Sequence, residues 1–480
     1  MSDSNQTILS RLQYYAQSTP NQICLIDAAS GEQVTYASFW SRILRYARNV
    51  QPGRYYILQT RQTIAHLVAF YGIQAAKSVA IPVEATASEE RMAALAGQFG
   101  AAVLPVEYTL ADEEAPFAPP DPERIACVIC TTGTTGRSKG VLSSFRCRFC
   151  GADNVRYSYE ITPGDVALIP QVLSHSGGLR RVEAMLVSGA AAVIMGAAML
   201  FGNVFNAIKK YHCSILQFVP AQVAQILNRA QKLLLEAAPQ IRIVSVGSAV
   251  IPERDKELLR ELLPGVRLFN DFGSTEAIGS AYFEWSAFPP KPDCVGTASL
   301  HSSIVFLDDN GAVMESSSRH HPGLIATEGG TLMSGYLNDP ALTAEVMRDG
   351  RVLSADLGYL GEDGMIYILG RRDDIIVSGA NKISPAEIED AVLRIPGVKE
   401  CACVPKPDKV MGQMPALFIV WEKEGLPSDE LAEILGKKID KFKIPRSENI
   451  YAADALPRTS GTGKIMKREL AKRMIENENL

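Results

Sequence analysis

The sequence predicts an α/β protein: a large N-terminal α/β domain of several subdomains with a β-rich part, followed by a small, mobile C-terminal α/β domain. Three observations carry this. At 480 residues the chain exceeds what one ordinary hydrophobic core organises, so two or three domains are expected. From Gln33 to Gly247 helical periodicity alternates with short apolar runs, the pattern of parallel strands joined by crossover helices. From about Asp293 the texture changes to short β-type pieces with turn punctuation, and after Arg371-Arg372 a separate small unit begins, so the expected domains are 1–371 and 372–480.

Taken in order, the N-terminal MSDSNQTILSRLQYYAQ has an early acidic residue and no continuous apolar core. It reads as a short amphipathic helix, neither a secretory signal nor a membrane span. Helical periodicity follows at Ala37–Val50 and Ile64–Lys77, with strand-like runs at Arg54–Leu58 and Val79–Val83. A Pro-rich acidic loop, ADEEAPFAPPDPER, then leads to a strand at Ile125–Cys130. Further strands are expected at Val166–Ile169, Ala190–Met195, Ile215–Val219 and Ile241–Gly247, with helices at Ala221–Ala237 and Arg254–Leu263. Between Ala184 and Ile208 no charge occurs, which is long enough to cross a bilayer. Ser188-Gly189 breaks that window, so helix, turn and buried strand is the simpler parse. Beyond Asp293, Asn310-Gly311 and Asp363-Gly364 mark hairpin turns.

Composition narrows the function. With 48 Lys plus Arg against 53 Asp plus Glu, net charge −5, there is no electrostatic footprint for nucleic acid. Nine cysteines, an odd number scattered along the chain, suit reduced thiols in the cytoplasm.

The chemistry concentrates in ICTTGTTGRSKGV. A strand runs directly into Thr131, Thr132, Gly133, Thr134, Thr135, Gly136, Arg137, Ser138, Lys139 and Gly140. Such a loop suits phosphates: glycines let backbone N–H groups approach, hydroxyls donate, and Lys139 supplies charge. The spacing is not that of a Walker P-loop. Taken alone, the loop reads equally well as a flexible Thr/Gly turn.

Later segments supply the context: NDFGSTEAIG (Asn270–Gly279), SADLGYLGEDG (Ser354–Gly364), GRRDDIIVSGANKISPAEIE (Gly370–Glu389) and LPRTSGTGKIMKREL (Leu456–Leu470). In this order, and with the threonine-rich loop, they resemble the signature of the adenylate-forming superfamily, which includes acyl-CoA synthetases, firefly luciferases and peptide-synthetase adenylation domains. The SGANKISPAEIE form is most similar to acyl- and aryl-CoA synthetases.

That resemblance implies an ATP-dependent acid–thiol ligase with ATP, Mg²⁺ and coenzyme A as cofactors and a small carboxylic acid as substrate. A carrier-protein phosphopantetheine arm is the alternative thiol. It implies that Glu276 holds Mg²⁺, that Thr275 bonds the α-phosphate, and that Asp271, Phe272, Gly273 and Ser274 form the adenine-side turn with Phe272 stacking on the base. Gly247-Ser248 would edge the nucleotide, Asp356 and Arg371 would contact ribose or phosphate, and Ser378-Gly379 would flank the pantetheine tunnel. Asp373 falls at the hinge. His175, in PQVLSHSGGL, falls in the acyl-pocket segment, whose small apolar surroundings hint at an apolar or aryl acid. Lys464 would reach the carboxylate and α-phosphate during adenylation, where negative charge concentrates. Three positions depart from the family pattern: Ser138 for proline, Ala355 for glycine, and Ala380 for glycine beside the tunnel. Gly323-Leu324-Ile325 stands where a Glu is usual.

One rival pattern competes. Cys127-x-x-Cys130 and Cys147-x-x-Cys150 match a zinc-ribbon spacing and would suit a zinc-binding scaffold. An offset of three along a strand, however, sends Cys127 and Cys130 to opposite faces.

Overall fold

The computed structural model describes residues 6–105, 107–132, 138–196, 200–379, 381–423, 425–458 and 465–477. Its N-terminal helix, Ile8–Ser18, starts at a Thr7/Ser10 capping box and buries Ile8, Leu9 and Leu12. Because these apolar positions share one face, the helix lies flat on the body of the large domain.

The body is a sheet of 14 strands whose two halves differ in direction. One half is parallel: Ile23–Asp27, Ala191–Ile194, Val166–Ile169, Ile215–Phe218, Ile243–Gly247 and Arg267–Phe272 lie side by side. Most of their residues are buried, and those of Ala191–Ile194, Ile215–Phe218 and Ile243–Gly247 entirely so, as expected for strands covered by helices on both faces. At Ala281–Glu284 the sheet turns antiparallel and continues through Cys294–Ala298, Ile366–Arg371, Arg351–Leu360, Gly323–Gly329 and Ser302–Leu307. That is the β-rich part expected after Asp293.

A second sheet holds Tyr55–Thr60, Val79–Glu84, Ile125–Thr132 and Ser138–Ser144, edged by Gly335–Tyr336. The acidic Pro-rich loop is stitched over the helix Tyr36–Ala47: Phe117 packs edge-on against Trp40 with ring centroids 4.7 Å apart, and the Ala115 N–H bonds the Leu44 carbonyl at 3.1 Å. The small C-terminal domain has its own five-stranded sheet and its own core around Ile376, Ile388, Val392, Cys403 and Leu417. It meets the large domain through two helices, Glu253–Leu262 and Pro385–Leu393. There the Glu253 N–H bonds Asp390 Oδ1 at 3.0 Å and Arg254 Nη1 donates to the Leu393 carbonyl at 2.9 Å.

Two expectations meet the structure differently. The uncharged window after Ala184 is the end of helix Ser176–Val187, a turn at Gly189 (φ 71°) and the strand Ala191–Ile194, and among the described residues no helix is long and apolar enough to cross a membrane. The helix expected over Ala221–Ala237 is instead two, Pro220–Arg229 and Gln231–Ala237, broken where Ala230 swings to φ −139°. No residue in that stretch opposes helix formation. The break lets Ile226 and Leu227 from one piece, and Leu234 and Ala237 from the other, enter the same core, so packing overrides propensity.

Candidate active site

Two paired strands flank the threonine-rich segment. Strands Ile125–Thr132 and Ser138–Ser144 pair antiparallel, with Thr131 opposite Lys139 and Thr132 opposite Ser138. Gly133, Thr134, Thr135 and Gly136 lie outside the described residues, as do Ala380 and Lys464. The hairpin base is packed tightly: a Cβ on Gly140 would come within 2.9 Å of Val128 and 3.0 Å of Phe99. Ser138, the departure from proline, has a job of its own. Its hydroxyl accepts from Arg91 and its carbonyl accepts from Gln98 Nε2 at 2.8 Å, which ties the hairpin to the helix Glu89–Phe99.

The second motif follows the parallel strand Arg267–Phe272. Its turn is built by Ser274, whose Oγ accepts the N–H groups of Glu276 at 3.1 Å and Ala277 at 3.0 Å. Ser274 therefore shapes the turn that presents Thr275 and Glu276. Gly273 is obligatory, because a Cβ there would lie 2.6 Å from the Gly279 nitrogen. The neighbouring Phe272 is half-buried against Phe306, Ile325 and Ile366.

Tyr336 joins the two motifs, and the sequence reading assigned it no role. Strand Gly335–Tyr336 pairs with the phosphate-loop strand, with Tyr336 opposite Val141, while the Met333 N–H bonds the Glu276 carbonyl at 2.8 Å. Tyr336 Oη then donates to Glu276 Oε1 at 2.8 Å, and Lys139 Nζ lies 5.6 Å from the Tyr336 ring centroid. Burial, reinforced by the Glu276 charge, holds the Tyr336 hydroxyl well above the usual phenol range, so it stays a donor. One ammonium, one phenol and one carboxylate thus converge beside the strand Ser138–Ser144.

Ser248 follows the parallel strand Ile243–Gly247 with φ 75°, a strained conformation for a non-glycine residue at the C-terminal edge of a parallel sheet. His175 is the half-buried N-cap residue of helix Ser176–Val187. Asp271 turns its carboxylate inward. It is buried to 3% exposure beneath the strand and accepts from both Arg180 and Arg181. Burial alone would raise its pKa, but the guanidiniums of Arg181 and Arg180 hold it below the usual carboxylate range. Alternation explains this, since neighbours Asp271 and Phe272 must leave the sheet on opposite faces. Arg180 and Arg181 were themselves missed, because nothing local marks an arginine pair within an apolar helix as buried.

Asp356 and Arg371 face each other across adjacent strands, with Arg371 Nε 4.0 Å from Asp356 Oδ1. The two residues expected at the ribose are therefore together. Beside them the carbonyl of Ala355 accepts from the Arg372 N–H at 2.7 Å. Asp373 pairs with Arg468 at 2.8 Å on the surface. Ser378 is 2% exposed and its hydroxyl points at Met414 Sδ, 3.2 Å away, whereas its neighbour Gly379, at φ 59°, is exposed.

The four rival cysteines do not converge. Cys127 packs in the main core and Cys130 against the separate core of Ile57, Ile81 and Val128, on the other face of the sheet. Burial pushes both thiols up to about 12, away from the thiolate a metal would need. Among the described residues, no group of three or more His, Cys, Asp or Glu could hold a metal ion.

A doubly covered parallel sheet, an antiparallel extension and a small second domain, with a phosphate-type hairpin facing an acidic turn at the strand ends, define a nucleotide-dependent enzyme. The AMP-binding enzyme family matches residues 12–337, its C-terminal domain matches residues 387–464, and the chain belongs to that family. Among its relatives, the indoleacetate–CoA ligase of Aromatoleum aromaticum is 29% identical over 365 residues, 75% of this chain and 70% of the relative. The feruloyl-CoA synthase of an Amycolatopsis species is 28% identical over 386 residues, 80% of this chain and 77% of the relative. The o-succinylbenzoate coenzyme A synthetase of Bacillus subtilis, solved with ATP and magnesium ion, shares the fold with a TM-score of 0.84 at 24% identity, covering 97% of this chain and 99% of that one.

Proposed function

We propose that this protein activates a carboxylic acid with ATP and passes the acyl group to coenzyme A. The observation that carries the reading is the convergence of Lys139, Tyr336 and Glu276 beside the strand Ser138–Ser144. The curated relatives, CoA ligases of small carboxylic acids, support it.

In the first half-reaction a carboxylate oxygen bonds to the α-phosphorus of ATP, the α–β anhydride breaks, and pyrophosphate leaves. Lys139 and the loop hydroxyls offset the charge of the phosphates, while Thr275 donates to the α-phosphate. Lys464, brought in by the small domain, offsets charge on the attacking carboxylate. The hard oxygen of Glu276, oriented by Tyr336, fits Mg²⁺, which when bound would neutralise phosphate charge. Phe272 is the adenine-stacking face, and Asp356 with Arg371 the ribose contact.

In the second half-reaction the thiol sulfur bonds to the acyl carbon, the thiol proton is released, and AMP departs. We place the domain boundary at Arg371/Arg372 and the pivot at Asp373, beside the contact pair Asp356–Arg371, where a rotation would exchange Lys464 for the Gly379 edge. A reducing, cytoplasmic setting suits nine free thiols.

The test is pyrophosphate release over short, medium, long-chain and aromatic acids, with and without coenzyme A. Turnover that requires free coenzyme A supports the ligase. Equal turnover without it would point to a carrier-protein arm as acceptor, and no release with any acid would overturn the activity.

A further inference from the structure

Arg181 lies on the helix that begins beside His175 and is 1% exposed. Its Nη2 bonds Asp271 Oδ1 at 3.2 Å, but Nη1 is buried and has no hydrogen-bond partner among the described residues. An unpaired guanidinium edge in an interior is costly, and natural structures rarely leave one without a purpose.

The position of Nη1 suggests that purpose. A Cβ on Gly177 would stand 3.3 Å from Arg181 Nη1 and 3.7 Å from Ser248 Oγ. The missing side chain of Gly177 therefore lets the Arg181 guanidinium edge and the hydroxyl of the exposed, strained Ser248 come up to the same side of the helix start. His175, two residues before Gly177, opens the same helix. The surrounding glycines accommodate the arginines. A Cβ on Gly247 would press within 2.8 Å of Arg181 Nη2, and one on Gly279 within 2.0 Å of Arg180 Nη1.

Charge argues in the same direction. The buried cluster holds Arg148, Arg180 and Arg181 against Glu183 and Asp271, three guanidiniums to two carboxylates. Arg148 is matched by Glu183, so Arg180 and Arg181 share the single carboxylate of Asp271. One buried positive charge is left over, and a neutral hydrogen-bond acceptor would not balance it, whereas an oxyanion would.

We infer that the acid activated at this site carries a second anionic group, a carboxylate or a sulfonate, received by Arg181 Nη1 and Ser248 Oγ beneath Gly177. This rests on the proposed acid activation and specifies its substrate class. It departs from the apolar or aryl acid suggested by the small residues around His175, since the polar end of the pocket comes from the helix interior.

The experiment compares acids matched except for the second anion: butanoate with succinate and with 3-sulfopropanoate, and 3-phenylpropanoate with 3-(2-carboxyphenyl)propanoate. Pyrophosphate release should give kcat/KM roughly 100-fold higher for the dianionic member of at least one pair, the scale of leaving one buried charged group unpaired. The sulfonate and carboxylate arms distinguish the two forms of the anion. Arg181→Met should collapse that ratio to near unity. Gly177→Ala, which keeps the charge but sets a methyl 3.3 Å from Arg181 Nη1 and 3.7 Å from Ser248 Oγ, should lower it too, and it carries the test if Arg181→Met does not fold by circular dichroism. Equal or inverted preference in every pair, or a ratio untouched by both variants, overturns the inference while leaving acid activation intact. If no acid releases pyrophosphate, the activity fails, and thermal shift of the full chain decides the inference: stabilisation by succinate or 3-sulfopropanoate but not butanoate, lost in Gly177→Ala, supports it, and no difference overturns it.

Discussion

Tyr336 and Glu276, sixty residues apart in sequence, are joined by a 2.8 Å hydrogen bond from phenol to carboxylate beside the strand Ser138–Ser144. The bond fixes the orientation of the proposed Mg²⁺ ligand and spans two motifs that no stretch of local sequence connects. Glu276→Gln should lower pyrophosphate release by about 100-fold or more, the scale of losing a positioned charge at a transferring phosphoryl group. Tyr336→Phe should cost roughly 10-fold and raise the Mg²⁺ concentration for half-maximal rate, because an oriented ligand becomes a mobile one. Magnesium titrations that superimpose for wild type and both variants would remove Glu276 from the metal site.

Lys464→Ala separates the two half-reactions. Formation of acyl-AMP should fall by roughly 100-fold or more through lost charge stabilisation, while thioester formation from supplied acyl-AMP stays close to wild type. Equal loss in both steps would contradict the role proposed for this lysine.

Gly279→Ala tests the packing around the arginine pair. Gly279 has φ 58°, and an added Cβ would sit 2.0 Å from Arg180 Nη1. Backbone strain and displaced guanidinium together should destabilise the protein by about 1–3 kcal/mol in urea unfolding. An unchanged midpoint would show that the helix Ser176–Val187 can yield at Arg180.

His301 provides a pH signature. Its ring nitrogen Nε2 lies 2.8 Å from Asp153 Oδ2, Arg156 shares the same carboxylate, and Cys150 stands close by. The Asp153 hydrogen bond above all, with Cys150 next, raises the His301 pKa to about 10. A folded-state pKa above the unfolded one means that the stabilisation is complete below about pH 6.5 and lost as pH rises towards 10. The melting temperature should therefore fall across that window. In His301→Gln the slope should be shallower, and it is the difference between the two profiles that isolates His301 from other titrating groups. Parallel profiles would show that His301 does not hold its proton in the folded state.

Much of this was legible in one dimension. The βα alternation marked the parallel half of the body because crossover helices and buried strands have distinct hydrophobic periods. The turn that presents Thr275 and Glu276 was legible because glycine and serine are required within a few residues of such a turn. The break at Ala230 was not legible, because two helix pieces turn there to enter a shared core and no residue in the stretch forbids a continuous helix. The inward turn of Asp271 was not legible because membership of a motif does not say which face of the strand a side chain takes, nor was the burial of Ser378, which depends on the distant Met414.

What the chain determines by itself is its periodicities and the short motifs whose backbone must turn in one way, and with them the fold class and the chemistry expected of the loops. What only tertiary structure decided is which side chains from distant segments share one space: Tyr336 with Glu276, and Arg181 with Asp271 beneath Gly177. The physical reason is that hydrogen-bond and charge pairing act over a few ångströms in space and are indifferent to separation along the chain, so they exist only after the sheets have aligned.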